Sequence, residues 1–179
     1  MTQTGRLYGG SLYDLAAEEQ LTDTIHEQME QLKELFREEP EYLRLLSEPS
    51  VPKDERIGLI DKALGEQAEK YLVNFIKLLC ERNILNQYEE CCKEFTQRYY
   101  DEHGIAEAVV TSAVALDEEQ IASLKAKLEK LSGKQIIVVE KVDPSVVAGI
   151  CVELEGVQYD GTVSGRISGL SKKINEIIV

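Results

Sequence analysis

The spacing of the apolar residues changes once along the chain, at Gly104, and that change limits the fold more than any other feature. Ahead of it, from Leu7 to His103, apolar side chains recur at steps of three and four, the period of an amphipathic helix. Behind it, IAEAVVTSAVAL alternates in part and is rich in β-branched and small residues, the pattern of a strand. Two periods need two kinds of layer. The sequence therefore predicts an α+β protein, with an N-terminal six-helix bundle over residues 1–104 and a small α/β domain over residues 105–179.

Within the first stretch, Leu21, Ile25, Met29, Leu32 and Phe36 form one face of a helix that must stop before Pro40, because proline disfavours helical backbone in the residue preceding it. Leu72, Phe75, Ile76 and Leu79 mark another helix, and Tyr88, Cys92, Phe95 and Tyr99 a third. SEPSVPKDE, with two prolines, reads as a connection, the next helix starting near Pro52 or Asp54. The second stretch reads as strand, helix, strand, strand, helix. Asp117 caps the first of these helices with Gln120 in the answering position. Ile121, Leu124, Leu128 and Leu131 give it an apolar face, and Gly133 stops it. QIIVVEKV and VVAGICVEL are strands joined at Asp143-Pro144, and turns follow at Glu155-Gly156 and Asp160-Gly161. Val163, Ile167, Leu170, Ile174 and Ile178 then define an amphipathic final helix.

Composition excludes several function classes. The formal net charge of −13 disfavours attraction to nucleic-acid phosphates and anionic lipid. Most of the acidity lies in residues 1–104, which hold 22 acidic and 12 basic residues, against 11 and 8 in the rest. An acidic helical bundle suits a basic or amphipathic partner segment, although a merely solvated surface has the same composition. No run of about 18 apolar residues is present and no basic start precedes an apolar core, so neither a membrane span nor a standard export signal is expected. Cys80, Cys91, Cys92 and Cys151 make no C-x-x-C pair. On a helix, Cys91 and Cys92 would point about 100° apart, which disfavours a bridge. Reduced, buried thiols, no metal and no cofactor are the expectation.

Catalysis finds little to work with. The two histidines, His26 and His103, sit in no motif, so surface or capping roles are expected. The carboxylate pairs Glu18-Glu19 and Glu89-Glu90 fall on exposed helix positions. GVQYDGTVSGR, over residues 156–166, is Gly-rich and opens the final helix, an arrangement able to cradle phosphate. It lacks the lysine and spacing of a P-loop and matches no dinucleotide fingerprint. A small enzyme or regulatory module using that turn on a phosphorylated ligand is therefore the alternative reading. A turn with Thr162 or Ser164 as helix cap is the plain one.

Several blocks in order along the chain carry a resemblance: LYGGSLYDLA at the start, LLSEPSVPKDER, NFIKLLCERNILNQYEECCKEF, and VDPSVVAGICVELEGVQYDGTVSGRISGL at the end. Together they resemble the delta subunit of F-type ATP synthases, whose mitochondrial counterpart is the oligomycin-sensitivity-conferring protein. The chain departs from the family's usual pattern at Gly9, where Ala is common, at Ala148, where Gly is frequent, and at Thr162, where Ser is common. The first is expected to loosen the opening helix, since Gly costs a helix up to about 1 kcal/mol relative to Ala.

The resemblance implies a non-catalytic stator adaptor supporting proton-driven ATP synthesis. It implies a helical domain that grips the N-terminal segment of an alpha subunit, and a C-terminal domain that meets the C-terminal ends of the b subunits in the peripheral stalk. It also implies a peripheral place on the cytoplasmic face of a bacterial membrane, and a monomer when isolated. By similarity the alpha-binding groove lies on the first and fifth helices, with Tyr8, Leu12, Leu15, Lys77 and Leu78 as its candidates. Arg166, Leu170 and Ile174 are candidates for stalk contact, packing of the domain's own core being the other reading of the last two.

Overall fold

The computed structural model describes residues 2–65, 67–146 and 149–161. Among these residues, seven α-helices and a four-stranded sheet make a mixed α and β protein, divided into two compact units between Tyr100 and Asp101.

Six helices precede the sheet: α1 (Gln3–Glu18), α2 (Thr22–Glu38), α3 (Pro40–Ser47), α4 (Lys53–Leu64), α5 (Lys70–Glu81) and α6 (Tyr88–His103), with a 3-10 turn at Leu85–Gln87. Their ends follow local chemistry. Thr2 caps α1 by accepting the Gly5 N–H at 3.1 Å. Glu39, whose ψ of 68° ahead of Pro40 leaves the helical region, ends α2, and Pro40 becomes the first residue of α3, where its missing N–H costs nothing. All six helices contribute to one core, in which Ala16, Ile25, Leu46, Ile60, Ile76 and Phe95 are each 0% exposed. The stripe expected on α5 is buried throughout and that on α2 from Ile25 to Phe36, with Leu21 half-buried at the N-cap, because each apolar step of three or four returns to the same side of the helix.

One charge lies inside this unit. Arg56 is 5% exposed, and its Nη1 donates to the Leu46 carbonyl and to Asn83 Oδ1, both at 3.1 Å. The Leu46 carbonyl also accepts from Cys80 Sγ at 3.4 Å. These bonds tie the end of α3 to the turn after α5, where Asn83 has φ 54°. A cation at a helix C-terminus is also favourably placed against the helix dipole.

The second unit holds β1 (Ile105–Ser112), α7 (Glu118–Ser132), β2 (Gln135–Val142), β3 (Ile150–Leu154) and β4 (Val157–Asp160). Gly104, at φ 61°, and Gly133, at φ 71°, end α6 and α7 in the left-handed conformation that glycine adopts without a Cβ penalty. Asp117 and Gln120 form the expected capping box. β1 and β2 are parallel, joined across α7, while β3 pairs antiparallel with the other side of β1 and β4 with β3, giving the order β2-β1-β3-β4. Ala106, Ala108, Val110, Ile136, Val152 and Leu154 close against Leu128 of α7.

Two expectations need correction. A fourth strand stands where turns alone were predicted: Asp160 pairs with Cys151, and the Gly161 N–H donates to the Ile150 carbonyl at 3.0 Å, so the chain stays in the ladder past the expected turn. β3 starts at Ile150, later than the apolar run VVAGICVEL suggests. The expected final helix lies outside the described residues, as do Ala148 and Thr162.

Candidate partner-binding surfaces

α1 is seated on α6 by its glycines. A Cβ built on Gly9 would stand 2.4 Å from the Cys91 carbonyl oxygen, and one on Gly5 would stand 2.8 Å from Glu90 Cβ. Gly9 therefore does more than weaken α1: it permits a backbone approach that Ala would block. The start of the helix is tied down as well. The Thr2 N–H donates to Glu90 Oε2 at 2.9 Å, Thr2 Oγ1 to Gln87 Oε1 at 2.9 Å, and Lys93 Nζ to Glu90 Oε1 at 2.6 Å. Lys93 and the Thr2 N–H hold the Glu90 carboxyl down at about 2. Of the carboxylate pairs, Glu18, Glu19 and Glu89 are exposed, as expected. Glu90 is half-buried, because it anchors α1.

The first and fifth helices pack against one another. Tyr8 and Leu15 are half-buried on α1, Tyr8 against the core. Leu12, at 3% exposure, belongs to the core itself. Lys77 pairs with Asp61 of α4, while Leu78, one residue on, is 37% exposed. The sequence reading missed Leu7, which at 64% exposure offers more apolar surface on α1 than any residue named for it. Its signal was present in the sequence: a Leu one position off the core stripe has no partner within the helix. Arg166, Leu170 and Ile174 lie outside the described residues.

Three of the four cysteines and His26 are taken up in packing. Cys80, Cys91 and Cys92 are buried, and burial pushes the thiols of Cys91 and Cys92 up to about 11 and about 12, far from the thiolate a nucleophile requires. His26 is half-buried in α2, where a surface or capping role was expected. Its ring stacks on Tyr99 with centroids 4.2 Å apart, because α2 brings it onto the aromatic end of α6. The Tyr99 hydroxyl donates to Asp23 Oδ1 at 2.7 Å, and that bond holds its ionisation up to about 12. His103 is exposed at the last position of α6.

Of residues 156–166, those up to Gly161 are described: Gly156, at φ 77°, forms the turn of the β3–β4 hairpin with Glu155, at φ 51°, and β4 follows as an edge strand. β4 is paired with β3 on one side, and residues 162–166 of the stretch expected to cradle phosphate lie outside the described residues. Among the described residues, no group of three or more His, Cys, Asp or Glu is placed to hold a metal, and no helix is long and apolar enough to cross a membrane.

Comparison with known proteins adds what geometry alone cannot. The family described as ATP synthase delta (OSCP) subunit matches residues 5–174. ATP synthase subunit delta of Alkaliphilus oremlandii is 24% identical over 172 residues, covering 96% of each chain. ATP synthase subunit delta 2 of Syntrophotalea carbinolica is 29% identical over 176 residues, covering 97% of this chain and 98% of that one. A chain of the Toxoplasma gondii mitochondrial ATP synthase hexamer shares the fold with a TM-score of 0.74 at 18% identity, over 97% of this chain and 98% of that one.

Proposed function

The chain belongs to the ATP synthase delta (OSCP) subunit family, and from that membership we propose that it is a non-catalytic stator adaptor of an F-type ATP synthase. One observation carries the reading: the family match runs from residue 5 to residue 174 and so takes in both units, as a part with two ends requires. In this reading the six helices form a bundle that grips the N-terminal segment of an alpha subunit, and the sheet unit meets the C-terminal ends of the b subunits. The adaptor resists the torque of the rotor on the catalytic head, at the cytoplasmic face of the cell membrane, and supports proton-driven synthesis without chemistry of its own.

Physical considerations on the helical unit favour the first contact. An amphipathic segment is recognised by apolar anchors at helical spacing beside polar groups. α1 and α5 are neighbours that leave Leu7 and Leu78 exposed and Tyr8 and Leu15 half-covered. The acidic surroundings favour a segment with basic residues.

The test is titration calorimetry of the purified full chain with a synthetic peptide from an alpha-subunit N-terminus. The expected result is one-to-one binding at micromolar peptide or tighter, weakened at least ten-fold by Leu78→Asp. Absence of binding at millimolar peptide would overturn the reading.

A further inference from the structure

β2 lies at one edge of its sheet, and its sequence is not that of an edge. Ile136, Ile137, Val138 and Val139 run without a polar residue, the pattern of a strand covered on both faces. Ile136 and Val138 pack into the core beneath α7. On the other face Ile137 and Val139 are 37% and 40% exposed. Natural edges are kept from further pairing by shortness, proline, bulges or charge. β4, at the opposite edge, is four residues long and ends in Asp160. β2 has eight residues, no proline, and an unbroken register with β1 from Gln135 to Val142.

The backbone of β2 also points outward. The Gln135 N–H donates to the Gly104 carbonyl and the Asp143 N–H to the Ser112 carbonyl, so the odd-numbered residues face β1 and the even-numbered ones face the free edge. Of the latter, Ile136 is met by α7, its N–H donating to Glu129 Oε1 at 3.3 Å. Val138, Glu140 and Val142 have no backbone partner on that side among the described residues. The Glu140 carboxylate, the one negative charge on the strand, already accepts the Leu116 N–H at 2.5 Å. What remains is positive, since residues 125–141 hold five lysines against two glutamates in a chain of net charge −13. Lys125 pairs with Glu129 and Lys134 with Glu155, while Lys130 and Lys141 make no ion pair among the described residues.

We propose that the free edge of β2 takes a further strand from a partner protein, an acidic segment in extended conformation with apolar side chains at alternate positions. Backbone bonds to Val138, Glu140 and Val142 supply the grip, and the alternate side chains supply the choice of partner. Paired strands lie about 4.8 Å apart, which sets the apolar side chains of the segment beside Ile137 and Val139. Its carboxylates meet Lys130 and Lys141, which repel a basic segment. A second copy of this chain is the poorer occupant, because its own β2 brings the same lysines to the same edge. The inference goes beyond the stator reading, which names no strand on the sheet unit, and its failure would leave the alpha-peptide titration unchanged.

The experiment is an NMR titration of the isotope-labelled full chain with a short synthetic peptide that alternates valine and glutamate. Two control peptides carry lysine in place of glutamate, or proline at the centre. The acidic peptide is expected to bind at millimolar concentration or tighter, with amide shifts centred on Val138, Glu140 and Val142, and each control to bind at least ten-fold more weakly. Two variants sharpen the reading. Val142→Pro removes one outward N–H and leaves the bonds to β1 in place. Lys130→Glu with Lys141→Glu reverses the charge at the edge. Each is expected to weaken the acidic peptide at least five-fold while the β1 amides stay protected, and the charge variant decides alone if Val142→Pro unfolds the sheet. Absence of shifts at millimolar peptide, shifts centred elsewhere, equal binding of the lysine peptide, or affinity unchanged in the charge variant would each overturn the proposal.

Discussion

The helical unit draws its core from six helices, with Phe95, Met29, Ile60 and Leu79 all at most 1% exposed. In the sheet unit the described core instead sets Ala106, Ala108 and Val110 of β1 against Leu128, Ile136, Val152 and Leu154. Beside the helical unit's core of large side chains, Leu7 and Leu78 stay exposed. The difference teaches that small residues on a central strand leave room for the helix packed over it, whereas interlocking helices fill their centre with large side chains.

Deletion of core volume gives the strongest test of that contrast. Phe95→Ala removes a ring that meets Tyr13 edge-on with centroids 5.2 Å apart, and should cost the helical unit about 3–5 kcal/mol. Amide exchange would show the loss in α1–α6, with β1–β4 protected as before. Collapse of both units together would mean that they fold as one. Next comes Gly9→Ala. Ala is the better helix former by about 1 kcal/mol, yet the Cβ meets the Cys91 carbonyl, so a net loss of about 1–3 kcal/mol is expected from overpacking. A stabilised variant, read by urea denaturation, would show that α1 does not need its close seat.

Asp117→Ala removes the capping box of α7 and should cost about 0.5–2 kcal/mol, confined to the sheet unit. The smallest effect is electrostatic. The Glu90 carboxyl ionises at about 2 when folded, below its ordinary value of 4.5. It therefore stabilises the helical unit above the ordinary carboxylate range, and that contribution fades as pH falls from about 4.5 towards 2. Glu90→Gln should flatten the acid limb of the denaturation midpoint of the helical unit and leave that of the sheet unit unchanged.

Much of this architecture was legible in the sequence because it rests on local rules. The Pro40 boundary, the Asp117–Gln120 box and the glycine stops at 104 and 133 each depend on residues within one helical turn. β4 was not legible, since Val157–Asp160 is short, exposed at each position and, among the described residues, held in the sheet by its pairing with β3. Nor was the role of Gly9, which a single helix would count as a defect and which only the approach of α6 explains. At the candidate surface, three- and four-residue spacing marked Leu12 as readily as Tyr8. Periodicity finds the side of a helix that packs and cannot tell a core position from a groove edge.

The central claim is that two separate units carry two separate grips. The direct measurement compares the full chain with a Leu7→Asp, Leu78→Asp variant for binding to an alpha-subunit N-terminal segment and, separately, to the C-terminal ends of b subunits. Affinity for the alpha segment is expected to fall at least ten-fold while affinity for the b ends stays within two-fold. Loss of both, or of neither, would contradict the account.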